Sequence, residues 1–144
     1  MAEKPRTAVV RFAIPFCDAD PMQVVWHGNY LKYFDAARDR LLCDAGIDMY
    51  GTYQQTGYIY PITRTQTKHI RPLRVRDEVE CKAILVEYEC RLVFDFELRN
   101  AGTGQICVKG RTEQAAVRLS DWSLEVRLPE YLRRALGGEE ARNS

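Results

Sequence analysis

At 144 residues, 46% of them hydrophobic, the chain can fill one core and is too short for two ordinary domains. Its charged residues nearly cancel, to a formal net charge of +1, so neither a nucleic-acid surface nor a membrane surface is indicated and a small partner is expected. The start, MAEKPRTAVVRF, has none of the parts of a secretory signal and no run approaches ~18 apolar residues, so the expectation is a cytoplasmic protein without membrane insertion. The five cysteines, at 17, 43, 81, 90 and 107, are odd in number and include no C-x-x-C, which argues against a disulfide framework and a zinc site. They are expected to be reduced and mostly buried.

A first strand is predicted from Ala8 to Phe16, where β-branched and aromatic residues concentrate and Pro15 marks an edge or a strand end. Tyr30, Phe34, Ala37 and Leu41 then recur at helical spacing, Leu31, Leu42 and Ala45 widen the stripe, and Gly46 closes it, which predicts a helix over 29–45. IDMYGTYQQTG is a shorter helical or irregular piece ending near Tyr58. Beyond it the period changes to two: Val79, Cys81, Ala83 and Leu85 form one alternating strand, and Cys90, Leu92, Phe94, Phe96 and Leu98 another. After the turn NAGTG, QICVKGRTEQAAVRL resumes as a long strand, so 90–119 reads as a hairpin. Pro129 opens a short helix, PEYLRRAL, and a frayed tail is expected from about residue 137.

One strand, one long helix and four or so antiparallel strands make a single α+β domain over 1–144, with the sheet curling around the long central helix. The outer face and the edges of such a sheet stay open, so pairing with another copy is expected.

The candidate chemistry lies in CDADPMQVVWHGNY, residues 17 to 30. Asp20 precedes Pro21 and is therefore driven out of the helical region, where its carboxylate can project from the loop. His27 stands near the helix start, Gly28 has no side chain to block its backbone, and Asn29 is a good N-cap, so the first free amides should lie beside His27 and Gly28. Such amides favour an anion or a developing oxyanion. Trp26, Phe16 and Val25 are expected to wall the pocket. One carboxylate and an oxyanion site suit a thioester, whose thiol leaves with little help from an acid because its ordinary pKa is only about 8.5. The same residues have plainer uses: a D-x-D serves turn chemistry, and a lone His before a helix serves capping. As a metal site the pair lacks further ligands, and none is expected.

The segment resembles the signature of the 4-hydroxybenzoyl-CoA thioesterase family of hotdog-fold enzymes. Phe16, Asp18, Asp20, Val24, Val25, Trp26, His27, Asn29 and Tyr30 meet that signature in order, and FDAAR at 34 to 38 matches its continuation into the helix. The resemblance implies a hotdog fold and an acyl-CoA or aryl-CoA thioesterase without a cofactor, in which Asp20 is the catalytic general base or nucleophile. It also implies that His27 and the helix-start amides at Gly28 and Asn29 bind the thioester carbonyl, and that two or four copies assemble. The chain departs from the pattern at Gln23, where many relatives have Gly.

CoA phosphates would meet basic residues, for which Lys68, Arg71 and Arg91 are the candidates, with Arg74 and Arg76 in the same KHIRPLRVR stretch. In the benzoyl-CoA branch a basic pair often precedes the position of Arg91, and Glu89 and Cys90 stand there instead. Asp35 either faces the acyl end or pairs with Arg38 on the solvent side, and Tyr58, Tyr60 and Trp26 either line an acyl pocket or belong to the core. Two rival readings keep the fold: a thioesterase acting on an acyl carrier protein or a polyketide chain, and an acyl-CoA-binding module without catalysis. The presence of both Asp20 and His27 speaks against the latter, and a hotdog hydratase fits their arrangement less well.

Overall fold

The structure of the protein, a computed structural model, describes residues 6–137. Its elements in chain order are β1 (Thr7–Ala13), α1 (Tyr30–Asp44), α2 (Met49–Thr56), β2 (Tyr58–Ile59), β3 (Ile62–His69), β4 (Glu78–Glu87), β5 (Leu92–Asn100), β6 (Ile106–Gln114), β7 (Val117–Arg118) and α3 (Glu130–Gly137). Five strands form one antiparallel sheet in the order β1-β4-β5-β6-β3, and β2 pairs with β7 in a separate two-stranded ribbon. The expected α+β architecture, one long helix against a curved antiparallel sheet, is the one observed. The tail after Gly137 lies outside the described residues, and no helix among those described is long and apolar enough to cross a membrane.

Two of the strand ends that differ from the sequence pattern follow from proline. β1 stops at Ala13 rather than Phe16, because Ile14 turns to bond Asp77 and Arg76, Pro15 offers no N–H, and Phe16–Asp18 forms a 3-10 turn. The long strand expected after NAGTG breaks at Gln114. Its partner β3 begins after Pro61, so the ladder ends there, and residues 117–118 cross to β2 instead. β5 begins at Leu92, two residues later than the pattern starting at Cys90.

α1 lays Phe34, Ala37, Leu41 and Leu42 on the sheet, and all four are buried. Leu31, placed by periodicity on that stripe, is instead exposed, while Tyr33 and Arg38 are buried with it. The helix ends at Gly46, whose φ of +85° supplies the left-handed terminator that glycine adopts without strain. At the centre of the contact, the rings of Phe34 and Phe96 stack with centroids 4.6 Å apart. Gly110 on β6 lies beneath them, where a Cβ would come within 2.4 Å of the Phe34 ring. Glycine normally weakens a strand interior, and here it is the condition for helix and sheet to close.

Only Cys81 and Cys107 are buried; Cys17, Cys43 and Cys90 are exposed, against the expectation of a mostly buried set. Cys17 lies in a turn and Cys43 near the end of α1, while Cys90, which the alternation places at the head of its strand, falls in the bend before β5. All five are free thiols.

Gly110→Ala is expected to destabilise the protein by about 1–3 kcal/mol, since Phe34 is fully buried against Phe96 and cannot step aside. Urea denaturation checks this, and an unchanged or raised midpoint would contradict the packing described.

Candidate active site

The loop between β1 and α1 is a small hairpin with Asp20 at its shoulder. Asp20 N–H donates to Val24 O and Gln23 N–H to Asp20 O, each at 2.8 Å, and Ala19 pairs with Val25 in an antiparallel bridge. Pro21 sits where a turn wants a preset φ, and Gln23 takes a φ of +68°. Gln23 thus occupies the left-handed conformation that glycine would adopt freely, so the loop carries strain at this position. Within this turn Met22 N–H donates to Asp20 Oδ1 at 2.8 Å, which fixes the carboxylate and leaves Oδ2 without a donor among the described residues.

The hairpin is fastened by Asp18. Its backbone carbonyl accepts Trp26 N–H at 3.0 Å and Asn29 Nδ2 at 2.9 Å, joining the loop's two ends. Its carboxylate, 3% exposed, accepts Lys32 Nζ and the Tyr33 hydroxyl of α1, both at 2.6 Å. Burial pushes the Asp18 carboxyl up, but the bonds from Lys32 and Tyr33 outweigh it and hold the group below its ordinary 3.8. Burial first, and then the Asp18 charge, push the Tyr33 phenol up. The pattern around Asp20 gave no sign that the other acid of the D-x-D, with Lys32 and Tyr33, would be the structural anchor.

The helix start is built differently from the expected cap. Trp26 is extended, and His27–Asn29 forms a 3-10 turn that runs on into α1. Asn29 is therefore already helical, at φ −74° and ψ −17°, and its side chain reaches back to Asp18 rather than capping the helix. The amides without an intrahelical partner still fall at His27 and Gly28, because these open the first turn. One face of Gly28 is covered: a Cβ there would lie 2.1 Å from the Trp26 ring. That glycine makes room for Trp26, in addition to any approach of a ligand.

Asp20 and His27 line one cleft of about 360 Å³ together with Tyr30, His69 and Arg71. A larger cleft of about 600 Å³ adjoins Asp20 and carries Phe16, Gln23, Arg74 and Arg76. Of the expected walls, Val25 lines the smaller cleft, Phe16 lines only the larger, and Trp26 lines neither. Tyr58 and Tyr60 are half-buried against the core. Asp35 is not brought to Asp20. It pairs with Arg38 at 2.6 Å and borders a third cleft of about 400 Å³, in which the buried Arg38 Nε and Gln114 Oε1 have no partner. The ion pair with Arg38 is thus real, but Arg38 is buried rather than on the solvent side.

Of the three basic candidates, only Arg71 enters an Asp20 cleft. Lys68 faces a depression on the sheet beside Lys109 and Arg111, and Arg91, in the bend before β5, is tied to Glu113 at 2.6 Å and Glu87 at 3.6 Å. Sequence reasoning overlooked His69. Its only signal is that the chain holds just two histidines, and the cleft gathers both. No group of three or more His, Cys, Asp or Glu among the described residues is placed to hold a metal ion.

Two outcomes follow for the loop. Gln23→Gly is expected to stay within about 1 kcal/mol of the wild type, and Gln23→Val to cost a further 1–2 kcal/mol or so, because a β-branched residue tolerates a left-handed φ poorly. Denaturation midpoints of the pair measure the difference, and equal midpoints would contradict the turn. Asp18→Asn is expected to cost about 1–3 kcal/mol at neutral pH through its charged hydrogen bonds. Since the folded pKa is lowered, the wild-type advantage is full above 3.8 and is lost as pH falls through the folded value. An advantage that does not shrink in acid would contradict this account.

With the geometry in place, comparison with known proteins is informative. The sequence profile of the thioesterase-like superfamily matches residues 14–136. A 1,4-dihydroxy-2-naphthoyl-CoA hydrolase of Thermosynechococcus vestitus is 30% identical over 66 residues, 46% of this chain and 45% of that protein. Among solved structures, a 1,4-dihydroxy-2-naphthoyl-CoA thioesterase from Synechocystis superposes with a TM-score of 0.83 at 16% identity, covering 90% of this chain and 95% of its own. A variant of 4-hydroxybenzoyl CoA thioesterase complexed with 4-hydroxybenzoyl CoA gives 0.81 at 17% identity, covering 92% and 100%. At these identities the two structures establish a common hotdog architecture. Because the profile spans most of the chain and includes the whole Asp20 loop, the chain belongs to the thioesterase-like superfamily.

Proposed function

We propose that this thioester hydrolase cleaves an acyl-CoA or aryl-CoA ester to the free acid and CoA, with Asp20 as the reacting carboxylate. The observation that carries the reading is that Asp20 and the opening turn of α1 face one cleft. A thioester carbonyl placed there points its oxygen at the amides of His27 and Gly28, which stabilise the charge that develops on it. Asp20, with Oδ1 held by Met22 N–H, presents its free oxygen either to a water, as general base, or to the carbonyl carbon, as nucleophile through a mixed anhydride. His27 borders the same space and orients the carbonyl. Arg71 in one cleft and Arg74 and Arg76 in the other supply positive charge for the phosphates of CoA. The names of the similar proteins, which act on hydroxylated aryl-CoA esters, make aryl esters the first substrates to try.

The protein is proposed to work as a dimer or tetramer. Every residue of β3, an edge strand eight residues long, is exposed, and an uncovered edge of this kind pairs with a second chain.

The test is thiol release from a panel of acyl-CoA and aryl-CoA esters by wild type and by Asp20→Asn, which keeps shape and removes the base. Wild type should cleave part of the panel, and the variant should lose ~100-fold or more in turnover. Cleavage by wild type with an unimpaired variant would remove Asp20 from the reaction. Binding of CoA esters without cleavage would favour a carrier-protein substrate or a binding role.

A further inference from the structure

We infer that His69 is a second catalytic imidazole, which donates a proton to the departing sulfur; the inference rests on the thioesterase reading above. His69 ends β3, far along the chain from the Asp20 loop, yet it lines the same cleft as Asp20 and His27. Two contacts hold it. Its ring lies 5.3 Å from that of Tyr30, the first residue of α1, and its Nε2 lies 3.1 Å from Thr67 Oγ1. The imidazole is thereby kept beside the helix start; when the ring is protonated, Nε2–H donates to the threonine and Nδ1–H is left for a ligand.

The chemistry gives that position a use. In this assignment Asp20 takes the attacking side of the thioester carbon and the helix-start amides its oxygen, while the sulfur lies toward the segment of His69 and Arg71, which lines the same cleft. When the tetrahedral intermediate collapses, the C–S bond breaks and its electron pair stays on sulfur. The Nδ1 proton of the His69 imidazolium moves to that sulfur, giving the thiol and a neutral imidazole, and the proton that Asp20 took from water is released to restore the imidazolium. The transfer neutralises the charge that would otherwise collect on the departing sulfur. Asp20, His27, Tyr30 and Arg71 are the other titratable groups around the cleft, and none of them takes this role: the first two act on the carbonyl, the Tyr30 phenol is buried and pushed up by burial, and a guanidinium does not give up its proton.

The experiment varies the leaving group. Wild type, His69→Asn and His69→Phe are assayed on the best CoA ester of the panel and on the 4-nitrothiophenyl ester of the same acid, whose thiolate leaves without protonation. Both variants should lose roughly 10-fold in kcat on the CoA ester, a modest effect because the thiol needs little help from an acid, and change little on the nitrothiophenyl ester. Equal losses on the two esters would assign His69 to positioning alone. Recovery in His69→Phe, which keeps a ring against Tyr30, would assign it to packing, and no loss in either variant would remove it from the reaction. Each of these overturns the inference while Asp20-dependent hydrolysis still stands. If wild type cleaves neither ester, the thioesterase reading itself fails and this inference fails with it.

Discussion

The buried carboxylate of Asp18 is the contact on which the geometry of the site depends. Through its side chain it is fixed to Lys32 and Tyr33 on the first turns of α1, and through its carbonyl it receives Trp26 and Asn29. The loop therefore cannot move relative to the helix without unmaking charged hydrogen bonds to a buried carboxylate. Val25 N–H, donating to Leu73 O at 2.8 Å, fastens the other side of the hairpin to the segment after β3, which brings in His69 and Arg71. Carboxylate, helix start and second imidazole come from three parts of the chain, and one small knot sets their relative placement.

Beneath that knot, α1 is held by contacts of very close fit. Gly110 lets Phe34 reach the sheet and stack on Phe96, while Arg38, 8% exposed, spreads its guanidinium near the rings of Phe94 and Phe96 and bonds Thr112 Oγ1 at 3.1 Å. A buried cation is costly unless paired, and Asp35 on the same helix supplies the partner. Arg38 Nε and Gln114 Oε1, a donor and an acceptor, are left unpaired in the cleft beside it, where a single hydroxyl or water could serve both. Of the two readings of Asp35, the pair with Arg38 is the one observed, and it gives the acid a structural duty beside the helix–sheet contact.

What the sequence revealed follows the range of the signals. Strands β4 and β5 announced themselves because alternate residues such as Val79, Cys81, Phe94 and Phe96 all fall on one buried face, and α1 because Phe34, Ala37 and Leu41 repeat at helical spacing. The Asp20 loop was legible as a motif, since its residues are contiguous. Interactions between distant segments were not. Asn29 has the composition of a cap, but a tertiary carbonyl, Asp18 O, outcompeted the local amides for its side chain. His69 carries no local pattern at all, because its meaning comes from the fold, which turns the end of β3 toward the start of α1. Arg91, a candidate for CoA phosphates in the sequence, is paired by the fold with Glu113 of β6.

The two acids of the D-x-D show how position alone gives one residue type two different surroundings. Asp18 lies at the end of a 3-10 turn packed on α1, where both oxygens are taken by Lys32 and Tyr33 and its charge is already neutralised. A carboxylate so satisfied is a poor base, because accepting a proton would cost it those bonds. Asp20, two residues on, enters a proline turn that gives its carboxylate one backbone donor and, among the described residues, no hydrogen bond from a helix side chain. It keeps a free oxygen on a fixed frame, which is what proton abstraction or attack on a carbonyl requires. Exchanging the two roles would need the turn to begin two residues earlier, and the pairing of Ala19 with Val25 and of Asp20 with Val24 forbids that register. The hairpin therefore selects which of two identical side chains is available to react.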